Sequence, residues 1–265
     1  MLRNNLRKIA QQFGYDFIKT PNYEFGKKYK AHSSDDRFDY YETPSGNYYL
    51  PKNCKGDIVA NAIKANSFFD QVICEVAKSY IKPNSIILDI GANYGQMAIA
   101  LSKIATNTQV YAFEAQKMVF DILEKNIESN NAKNIRSFYN AVYDIENTEF
   151  MFPVPDLVKY ATYGAYGLDL KAKQGVPVRS LTIDSLAFDM PVSFIKIDIQ
   201  GSDLAAMRGA VNTIAKYQMP IIFEYEEQFQ QDFNTCFQDY VDFVDGINYK
   251  FLKTVQEINY LIVPK

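Results

Sequence analysis

Two hydrophobic patterns alternate along the chain. Short continuous apolar runs at 85–90, 110–114, 135–142, 194–199 and 220–226 have the character of strands buried on both faces. Between them apolar positions recur at helical spacing. Met97, Ala98, Leu101, Ile104 and Ala105 follow the first run, Met118, Val119, Ile122, Leu123 and Ile127 the second, and Leu204, Met207, Val211, Ile214 and Ala215 the fourth. After the fifth, apolar positions from Phe229 to Val244 predict one more helix, stopped by Gly246. Strand alternating with helix predicts a parallel α/β sheet. The chain closes with strands at 249–255 and 258–263 joined by Gln256-Glu257, and a two-residue connection makes them antiparallel. The expected fold class is therefore α/β, a Rossmann-like, mostly parallel sheet ending in an antiparallel hairpin.

Upstream of this alternation the pattern changes. Residues 57–80 read as two helical segments, the second capped by Ser67, and the tyrosine-rich stretch 38–51 is broken by Pro44-Ser45-Gly46-Asn47, which predicts a hairpin covering an edge of the domain. Leu2, Leu6, Ile9 and Phe13 form a helical stripe beside Arg3, Arg7 and Lys8, a short amphipathic helix for packing on its own domain, a membrane surface or a second copy of the chain. The organisation expected is an N-terminal helical and hairpin extension over 1–80 and one α/β domain over 81–265.

The turn after the first strand carries the chemistry. Gly91 and Gly95 bracket Asn93 and Tyr94 between strand and helix, the place where helix N-terminal amides meet the crevice at the strand ends. Asp89, two residues before the first glycine, would repel the pyrophosphate of a dinucleotide and attract a ligand bearing ammonium and sulfonium charge. Glu114 ends the next strand 19 residues past Gly95, where an acid accepts both ribose hydroxyls, with Ala115 beside it. These residues together point to S-adenosylmethionine (SAM) rather than to NAD. Asn140 and Ala141, at the end of the third strand, are placed to contact the adenine.

Composition narrows the partners. With 28 basic and 31 acidic residues the net charge is −3, so nothing steers the chain toward nucleic acid. Cys54, Cys74 and Cys236 are widely spaced with no CxxC, which fits buried free thiols in a reducing cytoplasm. No continuous apolar run approaches a membrane span or a signal h-region. Residues 149–181 interrupt the strand–helix alternation with glycines and prolines around Tyr160-Ala161-Thr162-Tyr163-Gly164-Ala165-Tyr166-Gly167, a candidate lid whose Tyr163 and Tyr166 suit stacking on a sugar or base. Lys196 and Asp198 lie in a buried-type strand, where ionisable groups are expensive. Asp198 at the strand end is the first candidate for the acid nearest the chemistry, Glu224 on the next strand the second, and His32, the only histidine, the third. Asp198 with Glu224 also forms a candidate Mg²⁺ pair.

LDIGANYG, VYAFEA, the Asn140-Ala141 pair, LTIDSL from Leu181 and FIKIDIQGSDLAAMRGA from Phe194 to Ala210 resemble the FkbM-type methyltransferase family over about 83–226. The resemblance implies a class I SAM-methyltransferase domain, with Lys196, Asp198 and Gly201 matching the family's lysine, strand-end acid and glycine. Gln200 and Asp203 stand where the family more often has glutamates. The activity implied is O-methylation of a sugar hydroxyl, on a nucleotide sugar or glycan, in bacterial surface polysaccharide such as capsule or lipopolysaccharide. The alternatives are methylation of a non-sugar small molecule or natural product, and a non-catalytic SAM-binding subunit.

Overall fold

A computed structural model of the protein describes residues 28–52, 54–157 and 161–265; the amphipathic stripe at Leu2 to Phe13 and Tyr160 lie outside them. The strands are β1 (Ser33–Ser34), β2 (Phe38–Thr43), β3 (Gly46–Pro51), β4 (Ile86–Ile90), β5 (Gln109–Glu114), β6 (Ile135–Tyr139), β7 (Ala141–Val142), β8 (Glu149–Phe152), β9 (Val176–Leu181), β10 (Val192–Ile197), β11 (Ile221–Glu224), β12 (Tyr249–Val255) and β13 (Asn259–Pro264). Seven of these form the central sheet in the order β12-β13-β11-β10-β4-β5-β6. β4, β5, β6, β10 and β11 run parallel, whereas β13 is antiparallel to both β11 and β12. The closing hairpin thus inserts its second strand beside β11, which returns β12 to the direction of the parallel set.

Strand character follows burial. Every residue of β4 and β10 is buried, Asp89 and Lys196 included, because helices cover both faces of the sheet. Two hydrophobic clusters result. One, around Ile87, Ala98, Leu101, Ile122 and Leu123, continues without a break into Tyr48, Leu50 and Ile63 of the upstream segment. The other, around Leu88, Phe113, Ile195, Met207 and Phe223, fills the opposite face. The hairpin β2–β3 stays outside the central sheet. It packs on helix Lys117–Ser129, where the buried Asn126 accepts from the Tyr49 N–H at 2.6 Å and donates to the Tyr49 and Tyr94 carbonyls at 3.2 and 2.8 Å.

Three expected elements are divided in the fold, each for a local reason. The third strand splits at Asn140: β6 stays in the main sheet, and β7 leaves it to pair with β9 in a small sheet of order β7-β9-β8. The helix after β10 breaks into Asp203–Arg208 and Val211–Tyr217, because Asp184 reaches across to cap the second piece, accepting from the Asn212 and Thr213 N–H groups at 2.9 and 2.8 Å. The helix after β11 breaks into Glu227–Phe233 and Phe237–Gly246, where Asn234 turns left-handed and Asp239 closes a capping box with Cys236. Upstream, the two helical segments are Ile58–Lys64 and Gln71–Lys78, and the N-cap of the second is Asp70 rather than Ser67, whose carbonyl instead accepts from the Gln96 side chain. Cys54 and Cys74 are buried free thiols, but Cys236 is exposed.

Candidate active site

Parallel strands in register place their carboxyl ends on one line. Ile90 pairs with Phe113 on one side and Ile197 on the other, and Ile197 pairs with Phe223, so the residues that follow β4, β5, β10 and β11 converge on one crevice. A cavity of 590 Å³ lies there, lined from all four strand ends, from the stretch 161–168, from Phe69-Asp70 upstream and from the β12–β13 turn. That size suits a cofactor with an acceptor beside it.

The glycine turn is built by close backbone approach. Gly91 has φ +83°, and a Cβ there would lie 1.9 Å from the Asp198 carbonyl oxygen, so no side chain fits between β4 and β10. Gly95 precedes helix Gln96–Leu101 as its N-cap, Asn93 is left-handed at φ 51°, and its Oδ1 accepts from the Tyr94 N–H at 2.7 Å. Tyr94 is buried at the cavity lining and donates its hydroxyl to Asp57 at 3.0 Å. Glu114 accepts from the Asn93 N–H at 2.9 Å and the Gln116 N–H at 2.8 Å, one bond to each oxygen, which orients the carboxylate while leaving each oxygen a further lone pair. Burial is the larger effect on it and pushes the carboxyl up to about 7 against those two amide bonds. Ala115, Asn140 and Ala141 line the same end, with Asn140 donating to the Arg179 carbonyl at 3.1 Å.

Asp89 corrects the simplest reading of the turn. It is wholly buried beneath the cavity and does not line it. Its partner is Lys196, whose Nζ sits 3.6 Å from Asp89, 3.4 Å from Asp198, and donates to the Gly91 carbonyl at 3.0 Å. Burial raises Asp89 to about 6, with Lys196 opposing. Its carboxylate therefore makes no direct contact with a ligand in the cavity.

Asp198 and Glu224 face each other, and Gln200 bridges them: its Nε2 donates to Asp198 Oδ1 and to Glu224 Oε2, each at 2.9 Å. Burial acts upward on Asp198, but Lys196, the hydrogen bond with Glu224 and the Gln200 amide together hold it below the usual carboxylate range. Burial and the Asp198 charge drive Glu224 well above that range. The pair shares a proton, one member ionised and the other not. A divalent cation does not fit here, since the amide N–H groups and the Lys196 ammonium already occupy the carboxylates' approaches, and the described residues contain no cluster of three metal-ligating side chains. Gln200 thus makes sense of one departure from the family pattern, because a glutamate would add a third carboxylate where the amide now donates twice. At the other, Asp203 is buried and accepts from the Gly201 N–H at 3.1 Å.

His32 stands apart. It is exposed on the outer three-stranded sheet with Nε2 3.5 Å from Glu42, and it does not line the cavity. Tyr163 and Tyr166 do line it, on a strap that begins after β8 and returns to β9. The strap is tied down by Asp57, which is fully buried: its Oδ2 accepts from the Tyr94 hydroxyl, the Thr162 hydroxyl at 3.1 Å and the Tyr163 N–H at 3.0 Å, while Oδ1 caps helix Ile58–Lys64 through the Ala60 N–H. Gly167 allows the strap to rest on the β10 end, since a Cβ there would come within 2.8 Å of the Gln200 carbonyl oxygen. The sequence signal missed was plain in one respect: Asp57 and Asp70 each precede a helical pattern, and neither reads as more than a cap.

Comparison with known proteins agrees with this geometry. Residues 89–251, more than half of the chain, match the model of the Methyltransferase FkbM domain. A ribosomal protein L11 methyltransferase of Thermoanaerobacter sp. (strain X514) is 30% identical over 64 residues, 24% of this chain, and the chain spans only about a fifth (20%) of that relative's length. Among solved structures, a methyltransferase FkbM from Methylobacillus flagellatus KT is 16% identical with TM-score 0.46, over 71% of this chain and 49% of its own. SMU.1697c of Streptococcus mutans, a putative methyltransferase in complex with SAH, is 13% identical with TM-score 0.44, over 72% and 94%. The family match spans the glycine turn, Glu114, Lys196, Asp198 and Glu224, and the chain belongs to the FkbM methyltransferase family, with the class I methyltransferase fold.

Proposed function

We propose that the protein is a SAM-dependent O-methyltransferase acting on a sugar hydroxyl, as a nucleotide sugar or within a glycan of a bacterial surface polysaccharide. The observation that carries the reading is Glu114 held by two backbone amides at the cavity wall, directly across the strand ends from the Gly91–Gly95 turn. Glu114 would hold the ribose hydroxyls, Asn140 and Ala141 the adenine side, and Gly91 with Asn93 the remainder. SAM bound there supplies a methyl group on a sulfonium, already a good leaving group, so the protein's work is alignment and proton removal. Tyr163 and Tyr166 offer flat amphipathic faces for a sugar ring. A nucleic-acid acceptor is disfavoured, because Lys196 is the only basic side chain lining the cavity among the described residues and two carboxylates hold it. A cytoplasmic site of action belongs with this reading.

A second reading, a non-sugar small molecule bearing an ammonium group, is favoured by Glu226 and Glu257 at the cavity. One experiment separates them: transfer of labelled methyl from SAM across a panel of sugars, nucleotide sugars, oligosaccharides and small amines, after calorimetry with SAM and SAH. Micromolar cofactor binding with transfer to a sugar is the expected result. Absence of binding at millimolar SAM overturns the enzyme reading, and transfer only to amines overturns the sugar.

A further inference from the structure

We propose that Asp70, from the segment that precedes the family-matched stretch, is the catalytic base that takes the proton from the acceptor hydroxyl. The inference rests on the methyl-transfer reading above. Of the acids that line the cavity, Asp70, Asp198 and Glu224 are the ones whose charges act most on Lys196, and two of these are already committed. Asp198 is fixed by Lys196, Gln200 and Glu224 and held in its ionised form, which makes it a weak base. Glu224 carries the proton it shares with Asp198 and has none of its basicity to spare. Asp70 lines the same cavity, half-buried, within electrostatic reach of Asp198 and Lys196.

Its side chain is not used by the helix it precedes. Asp70 is left-handed, φ 57° and ψ 36°, at the N-cap of helix Gln71–Lys78, and its side chain makes no capping hydrogen bond. An aspartate at that place ordinarily accepts from the first helical turn. Here the carboxylate is not committed to capping the helix. The segment is held in place by the buried Gln96 of the glycine-turn helix, which accepts from the Phe69 N–H at 3.1 Å and donates to the Ser67 carbonyl at 2.8 Å. Cofactor turn and base are thus tied by one side chain. Burial, then Asp198, raises the Asp70 carboxyl to about 7 against the pull of Lys196, which matches it to proton transfer near neutrality. In the step itself the hydroxyl proton passes to an Asp70 oxygen as the hydroxyl oxygen bonds to the methyl carbon. The carbon–sulfur bond breaks, the sulfur keeps its electron pair, and Asp70 afterwards returns the proton to water.

The test uses full-length protein. Asp70→Asn should lower kcat at least 100-fold on any acceptor the panel yields, keep the SAH dissociation constant within about threefold, and abolish the rise of kcat/KM with pH through about 7; Asp70→Glu should restore part of the rate. Asp70→Gly, which suits the left-handed backbone, should keep or raise the melting temperature while losing the rate, an outcome a structural role would not give. With ¹³C-carboxyl-labelled aspartate and saturating SAH, the resonance missing in Asp70→Asn should titrate near pH 7. Titration of that resonance below pH 5, a retained rate, or loss of SAH binding by 30-fold or more overturns the assignment. A panel with no sugar acceptor counts against the sugar reading instead, and the titration and SAH measurements still decide Asp70.

Discussion

Glu114 and Asp89 are both acids at the same turn, yet they act at different distances from a ligand. Glu114 reaches the cavity with lone pairs free, so Glu114→Gln removes a charge-assisted pair of hydrogen bonds and turns an amide N–H toward a backbone donor. A cost of about 1.5–3 kcal/mol follows, a tenfold to hundredfold weaker SAM affinity by calorimetry, with the fold intact by circular dichroism. Asp89→Ala should show the reverse emphasis. Its carboxylate balances a buried ammonium, and breaking such a pair costs about 3–5 kcal/mol; Lys196 keeps Asp198 as a partner, which puts the loss at the low end. Urea unfolding should report about 3 kcal/mol, and a variant that unfolds like wild type while losing only SAM would contradict the placement of Asp89 beneath the site.

Within the described stretch 161–168 of the strap, Thr162 and Tyr163 are tied down by one side chain of another element. Asp57 holds the Tyr94 hydroxyl, the Thr162 hydroxyl and the Tyr163 amide while capping a helix, so upstream segment, glycine turn and strap meet at a single carboxylate. Tyr94→Phe removes one hydrogen bond to a charged group and should cost about 1.5–3 kcal/mol. Asp57→Asn should cost more and speed proteolysis within the strap several-fold, with SAM giving less protection than in wild type; equal cleavage rates would show that the strap is held by its packing alone. The parallel sheet, the glycine turn and Glu114 were legible in sequence because burial on both faces and strand-end spacing leave direct marks. The helix breaks between Arg208 and Val211 and at Asn234 were not, since the first is capped by the distant Asp184 and the second is a left-handed turn within an unbroken apolar periodicity. Nor were Asp57 and Asp70, because a helix cap and a site residue share one residue type. The burial of Asp89 was not legible either, because strand-end spacing does not tell which side chains of a doubly covered sheet face the helix layers.

At the scale of the whole molecule, the crevice concentrates carboxyl groups whose burial favours the protonated form. Asp70, Glu114 and Asp203 are raised to about 7 and Asp89 to about 6, in each case by burial first. A carboxyl with a folded value above its unfolded one, about 4, binds its proton more tightly when folded. The stability it contributes is fully present below pH 4 and is lost as pH rises through 6 to 7. One carboxyl raised by about 2–3 units is worth about 3–4 kcal/mol at most, and these groups interact, so their effects do not add. The protein without cofactor should therefore melt about 4–8 °C lower at pH 8 than at pH 5.5, because a carboxyl raised to about 7 has about 2 kcal/mol left to lose above pH 5.5, at about 2–4 °C per kcal/mol. SAM, carrying sulfonium and ammonium charge, should reverse that loss by favouring the ionised carboxylates. Its stabilising shift should grow from pH 5.5 to pH 8, and that of SAH, which lacks the sulfonium, should grow less. Equal shifts for the two ligands across the range would mean that the carboxylates of the crevice do not sense the charge being transferred.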